Sequence, residues 1–426
     1  MENKLKLEDI TILNEGQQIK RKIEEKYGSI KDFYEIEKPT ELSLKAIRNY
    51  CSFDKITSTN LKILMLKLLN EGWDEIIISD VEQIKDIVSK IYRDIRLYNE
   101  DEDYALLEKV RALCFKFGLI NETALMLRCL AKHFYFRNNN METLKYYNEA
   151  INLIENINID TLIIIMVELA EYHYMEREVK EAESLFIKAQ NYIDNSEKVS
   201  NAAIYKYYFK RGIMLNSEGR HSDARGYIEK SIMYAGDNTE SNSDKGAAYM
   251  AIGSTYKREG VYVEAKENYF KSLFEFHVKD IHGRATALNN VADIYCIFNE
   301  YDEAIKYIKA AMELLEKDSI TYKHLIIAET YAEIKLMVED TSACYEYFDI
   351  IKKTVDTSIN KKNIKNSIIS IINYIEDIDL LKELYNAIYY ISENTDNYVY
   401  EDDLYSCMGR ICKRINKKVS GNFLII

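Results

Sequence analysis

Six histidines, His133, His173, His221, His277, His282 and His324, are the side chains best suited to hold a metal ion or move a proton, and their spacing supports neither task. There is no H-E-x-x-H and no pair at i, i+4; His277 and His282 stand five apart and so fall on different faces of a helix. The Gly patterns that cradle phosphates, G-x-x-x-x-G-K-[ST] and G-x-G-x-x-G, are missing, as is the G-x-S-x-G of nucleophilic serines. Acid pairs such as Asp302 and Glu303 fall at turns, where capping and solvation account for them. The seven cysteines contain no C-x-x-C, and Cys407 and Cys412 do not share a helix face, so they read as core thiols of a reducing compartment. Thirty-five tyrosines invite a base-stacking role, but their helical spacing makes packing between helices the better account. No catalytic residue, metal site or cofactor is expected, and the chemistry that remains is binding.

The elements that would carry a binding surface follow from composition. One Pro and 14 Gly in 426 residues are far below the usual shares of about 5% and 7%, which leaves few places for tight turns and predicts helices almost throughout. With 47% apolar and 30% charged residues the chain can bury a core and stay in solution. A net charge of −13 argues against coating nucleic acid or an anionic membrane along its whole length. The first 70 residues are nevertheless net +2 and the rest net −15, the polarity of a nucleic-acid-binding end on an acidic body. The opening residues lack the apolar block of a signal peptide. The longest strongly apolar run, Leu162 to Val167, stops at Glu168, far short of the roughly 20 residues of a membrane span. A cytoplasmic protein with no membrane partner is expected.

Small residues recur at Ala131, Ala170, Gly212, Gly253, Ala292 and Ala332, at intervals of 39, 42, 41, 39 and 40 residues. Twelve residues after each stands a second anchor and seven further on a third: Thr143 and Ala150, Ala182 and Ala189, Ala224 and Ser231, Ala265 and Ser272, Ala304 and Ala311, Cys344 and Ile351. Fifteen of these eighteen are Gly, Ala or Ser, so the pattern is a repeat of two antiparallel helices that must approach closely. In the clearest copy Leu288, Val291 and Tyr295 stripe the first helix and Ile305, Ile308 and Met312 the second, with Glu300, Tyr301 and Asp302 at the turn. Segments 73–118 and 363–416 are amphipathic without the anchors and read as degenerate or capping repeats, with the tail Phe423 to Ile426 packed on the last helix.

Over about residues 124–352 this pattern resembles the tetratricopeptide repeat, most clearly around Gly253 and Ala292; the terminal Pro is missing and the period is nearer 40 than 34. The resemblance implies a right-handed superhelix whose first helices line a concave groove that takes an extended peptide. Such a guest brings unpaired N–H and C=O groups that the groove must satisfy, and Asn amides do this well. The expected peptide-binding residues are Asn289, Asn290 and Asp293 on the fifth repeat, Lys206, Lys210 and Asn216 on the third, and Lys257 on the fourth. In peptide-binding members the positions two before and one after the small anchor form the ligand surface, here Asn290 and Asp293, and Lys210 and Ile213.

Residues 11–70 leave the repeat and read as four or five short helices punctuated at Gly16, Gly28, Pro39 and Ser52 to Ser58. Ile19, Ile23 and Tyr27 stripe the first. Ser29 caps a second carrying Ile30 and Phe33. Thr40 caps a third with Leu44, Ile47 and Cys51 on its apolar side and Ser43, Lys45, Arg48, Asn49 and Ser52 on the other. A fourth follows Thr59, with Leu61, Leu64, Met65 and Leu68 in register. Read from G-x-x-I-K-x-x-x-x-x-x-Y-G-S at Gly16 to Ser29 and N-L-x-x-L-x-x-L-L from Asn60, this order resembles the helix-turn-helix domain of repressor-type bacterial regulators. Tyr34 stands where Ala is usual and Glu37-Lys38-Pro39 replaces the Gly-containing turn. The resemblance implies that helix three enters the major groove with Ser43, Lys45, Arg48 and Asn49 presented to the DNA, Arg48 and Asn49 being the types that read guanine and adenine, while Lys20, Arg21 and Lys22 reach phosphates.

Together the two ends are similar to the peptide-pheromone receptors of low-GC Gram-positive bacteria and their phages, the class of NprR, PlcR, Rap and arbitrium receptors. For a chain already expected to be all-α and, from its missing catalytic patterns, not an enzyme, that likeness implies a quorum-sensing transcription regulator. It would be a homodimer on a double-stranded operator, and a short linear signalling peptide in the groove would switch DNA binding. It also implies four segments: residues 1–70 for DNA, 71–123 as connector, 124–355 for peptide and 356–426 as cap. A Rap-type regulator that inhibits or dephosphorylates a response regulator, or a plain repeat scaffold without DNA binding, is the alternative.

Overall fold

The computed structural model describes residues 4–39, 43–52, 77–93, 95, 98, 100–137, 139–153, 157–196, 198–236, 243–316, 321–353, 361–394 and 401–423. Among them are twenty α-helices, one short 3-10 turn at Leu7–Asp9 and no strand, so the expected all-α fold is what forms. The chain divides into two compact bodies, residues 1–169 and 170–426, with the division inside the helix Ile159–Met175.

In the first body three short helices, α1 (Glu15–Tyr27), α2 (Ile30–Glu37) and α3 (Leu44–Tyr50), close around Ile19, Ile23, Phe33, Ile47 and Cys51. Gly16 does not break α1; it lies buried in its first turn, because Asn14 and Gln17 form a reciprocal capping box one step earlier. Ser29 caps α2 as its spacing predicts, and Gly28 before it takes a left-handed φ of 83°. Helix α3 starts later than expected. Ser43 is its cap, accepting a hydrogen bond from the Ala46 N–H, while Thr40 and the expected fourth helix with Leu61, Leu64, Met65 and Leu68 lie outside the described residues.

Two buried glutamines tie this bundle to α4 (Asp80–Arg93). The Gln18 amide donates to the carbonyls of Leu13 and Ile78 and accepts from the Ile78 N–H; the Gln83 amide donates to the Leu13 carbonyl and accepts from the Leu13 N–H. Helix α5 (Asp103–Lys116) follows, then the first repeat, α6 (Ile120–Phe136) with α7 (Asn140–Ile151), and the start of α8 (Ile159–Met175).

The second body continues the hairpins: α9 (Val179–Asn195), α10 (Asn201–Ser217) with α11 (His221–Tyr234), α12 (Asp244–Glu259) with α13 (Tyr262–Glu275), α14 (Ile281–Ile297) with α15 (Tyr301–Leu315), and α16 (Tyr322–Met337) with α17 (Ser342–Lys353). Helices α18 (Lys361–Ile372), α19 (Ile378–Glu393) and α20 (Glu401–Phe423) end it, with Ile364, Ile368, Leu381, Leu384, Leu404 and Ile411 in one core with Tyr347 and Phe348. Residues 424–426 of the tail lie outside the described residues.

All eighteen anchors are buried. The turn between paired helices also repeats, through a device the residue pattern alone does not show. The residue seven after the anchor takes a left-handed φ in five successive repeats: Arg177 (66°), Gly219 (80°), Gly260 (79°), Asn299 (60°) and Glu339 (60°). The next N–H then reaches back to the first helix, as in Asp340 N–H to the Lys335 carbonyl at 2.9 Å and Val261 N–H to the Tyr256 carbonyl at 2.9 Å. Helix α15 accordingly begins at Tyr301, so Asp302 and Glu303 sit in its first turn, where their charge faces the positive helix end. Only Gly adopts such a φ without a Cβ penalty, so Glu339→Gly should raise stability by about 1 kcal/mol in chemical denaturation.

Candidate functional site

Within the second body the first helices of neighbouring repeats touch one another, α10 with α12, α12 with α14, α14 with α16, and α16 with α18, as well as their own partners. The resulting wall carries polar groups at the same repeat positions. One residue after the anchor stand Glu171, Asp293 and Glu333, and two before it Lys210 and Asn290.

These groups meet across the repeats. The Lys210 ammonium donates to Glu171 Oε1 at 2.6 Å, and Lys257 pairs with Asp293. Lys206 lies by the Asp244 carboxyl, which burial raises above its ordinary range and the Lys206 charge pulls back. Asn290 is half-buried on the wall beside Asp293. Asn289 is buried, and its Oδ1 has no hydrogen-bond partner. Asn216 is buried, with its Oδ1 2.7 Å from His221 Nδ1. The structure thus joins Lys257 to Asp293, and it engages Lys210 and Asn216 with residues not predicted for the site.

Two wall residues escaped the residue-by-residue reading. Applying the rule of one after the anchor to Ala332 points to Glu333, and Glu329 lies one helical turn before it. Ser370 Oγ on α18 donates to Glu333 Oε1 at 2.6 Å, while Glu329 is 8% exposed with its Oε2 unpartnered. Burial pushes the Glu329 carboxyl up to about 7; the neighbouring Ser367 and Ser370 hydroxyls oppose this and the Glu333 charge adds to it. Burial also raises Glu333, with Ser370 and Lys257 opposing and the Asp293 charge adding. Because the folded chain holds the Glu329 proton more tightly than the unfolded one, its contribution is present below the ordinary value of 4.5 and lost as pH rises through about 7. Stability should therefore fall by about 3 kcal/mol across that window, and Glu329→Gln should flatten the slope in denaturation curves measured at each pH.

At the amino-terminal end Lys45, Arg48 and Asn49 are all exposed on α3, and Ser43 contributes its hydroxyl to the cap. Lys20 and Arg21 pair along α1 with Glu24 at 3.7 Å and Glu25 at 2.8 Å. Lys22 lines a cleft of about 690 Å³ with Gln18, Gln83, Asp86 and Lys90, against α4. Five cysteines are buried as expected, Cys296 is half-buried and Cys412 is exposed. Among the described residues no group of His, Cys, Asp and Glu is arranged to hold a metal ion, and no helix is long and apolar enough to cross a membrane.

No protein-family model matches the chain, and no curated protein matches it in sequence. Solved structures do. A signal-transduction ATPase with numerous domains and a tetratricopeptide-repeat sensor, from Pyrococcus horikoshii, aligns over 99% of this chain and 67% of its own at 12% identity and a TM-score of 0.50. The likeness is one of fold. The apo quorum sensor NprR from B. thuringiensis aligns over 80% of this chain and all of its own at 12% identity, with a TM-score of 0.48. A Rap protein complexed with competence and sporulation factor covers 79% of this chain and 99% of its own at 11% identity, with a TM-score of 0.44.

Proposed function

We propose that this chain is a peptide-responsive transcription regulator: the first-helix wall binds a short extended peptide, and the amino-terminal bundle binds double-stranded DNA as a homodimer. The observation that carries it is the wall itself. Donors and acceptors recur at the same repeat positions, Lys210, Asn290, Asp293 and Glu333, and so match an extended backbone that presents its own polar groups at a regular rise. For the DNA end the support is the exposed row Lys45, Arg48 and Asn49 on a capped helix above an apolar core. A peptide that fits one packing of the stacked helices better than another would shift the balance between them, and that differential affinity is all the switch requires.

The test is a pair of substitutions in the full chain. Arg48→Ala should weaken specific DNA binding by about 1–3 kcal/mol, read by fluorescence anisotropy across salt concentrations. Asn290→Ala should abolish the peptide response and leave DNA affinity without peptide unchanged. The pairing of Lys20 and Arg21 with Glu24 and Glu25 favours a second reading, in which the bundle docks on a protein. A chain with no salt-sensitive DNA affinity would select it.

A further inference from the structure

The stretches Leu13 to Ile19 and Ile78 to Ile84 carry the same kind of side chain in six of seven places: an aliphatic residue, a cap (Asn14, Ser79), an acid (Glu15, Asp80), then Gln17 or Glu82, a glutamine and an isoleucine. Each opens a helix, α1 or α4, on a capping box. Asn14 pairs with Gln17; the Glu82 N–H donates to Ser79 Oγ at 3.2 Å and the Ser79 N–H to Glu82 Oε2 at 2.8 Å. The glutamine after each box crosses to the other helix. Gln18 Oε1 accepts from the Ile78 N–H at 2.9 Å and Gln83 Oε1 from the Leu13 N–H at 2.8 Å, while both amide nitrogens donate to the carbonyls of Leu13 and Ile78. The two helix starts are thus related by a local two-fold, with both glutamines more than nine-tenths buried.

Leu13 and Ile78 are also the places where the chain passes between the bundle and the helices that follow it. Before Leu13 the chain is strapped down: Lys4 pairs with Glu100 and Asp103, the Leu5 N–H donates to the Tyr98 hydroxyl at 3.0 Å, and the Lys109 ammonium donates to the Leu7 carbonyl. After Ile78, α4 packs on α5 and on α6, the first helix of the first repeat. In between, the bundle closes its own apolar core, which among the described residues reaches no further than Ile77. The joint is therefore polar. Apolar contacts are non-directional and let surfaces slide, whereas hydrogen bonds fix direction as well as distance.

We propose that Gln18 and Gln83 form a clasp that sets the bearing of the amino-terminal bundle, and with it of α3, on α4. They are positioning residues. The bundle turns with the first repeat as one piece instead of swinging on a tether. The clasp rests on the DNA-binding reading only for what α3 meets.

In hydrogen exchange on the full chain, Gln18→Leu should speed the Ile78 N–H, 60 positions away, and Gln83→Leu the Leu13 N–H, 70 positions away, by about tenfold or more. Exchange at Ile23 and Val88, in the middle of α1 and α4, should not change, which shows that both variants fold. Nitroxide labels at Glu35→Cys on α2 and Asn148→Cys on α7, with the exposed Cys412→Ser, should give one narrow distance in the parent by pulsed electron paramagnetic resonance and broad ones in both glutamine variants. A broad distance in the parent, narrow ones in both variants, or faster exchange on the substituted helix alone would overturn the clasp. Where the parent binds DNA, each variant should bind about tenfold more weakly, because a loosened bundle must be ordered on binding. Equal affinity would overturn the positioning role. A parent without DNA affinity sinks the DNA reading, and the exchange and distance results still decide the clasp.

Discussion

Removing the carboxylate of Glu168 should cost about 3–5 kcal/mol, the largest effect expected from any single substitution in the amino-terminal body. Glu168 is 3% exposed and Arg128 6%, and the two form a bidentate pair, Nε to Oε2 at 2.7 Å and Nη2 to Oε1 at 2.6 Å. Lys132 approaches the same carboxylate at 3.5 Å, and the Arg128 guanidinium lies 4.5 Å from the Tyr92 ring centroid. Glu168→Ala strands a guanidinium that cannot shed its proton in an apolar setting, and its Nη1 already lacks a partner. The penalty comes from the unpaired charge. The double variant Arg128→Met, Glu168→Leu should therefore regain most of the loss, because well-packed apolar residues replace a buried ion pair at little or no cost. Urea denaturation of the two variants side by side checks this; equal loss in single and double variants would mean that packing rather than charge sets the effect.

The second large effect is expected at an anchor. A Cβ at Gly253 would stand 2.7 Å from the ring of Tyr269 and 3.2 Å from the Ala265 carbonyl oxygen, and Tyr269 is itself 2% exposed with nowhere to go. Gly253→Val should destabilise by about 3 kcal/mol, the upper part of the range for overpacking. Gly253→Ala should cost less, since the gain of about 1 kcal/mol in helix propensity offsets part of the clash. In a stack of hairpins each repeat leans chiefly on its neighbours, so hydrogen exchange should rise first in the α12–α13 and α14–α15 hairpins. Uniform loss of protection along the whole second body would contradict that local picture.

Those two positions mark how far the residue order could be read. The anchors were legible because helices that cross closely demand small side chains at the crossing, and that demand leaves its mark every 39 to 42 residues regardless of what lies between. The amino-terminal core was legible for a similar reason: helical period puts Ile19 and Ile23, Ile30 and Phe33, and Ile47 and Cys51 on one side of their own short helices, and Ile19, Ile23, Phe33, Ile47 and Cys51 form the core. Caps proved less certain. Ser43 and Thr40 are both good capping residues three positions apart, and the choice depends on where the preceding turn ends.

By itself the residue order determined the helical hairpins, their period, which faces are apolar and which first helices carry the polar wall, since all of these are local or periodic properties. Only the tertiary structure decided which polar groups are satisfied. Arg128 finds Glu168, Lys257 finds Asp293, and Asn289 and Glu329 each keep an unmatched oxygen. The pairs that do form join residues 36 to 40 positions apart, whose separation depends on how one hairpin rolls against the next. That roll is the sum of many side-chain contacts spread over both helices, so no short stretch of sequence carries it.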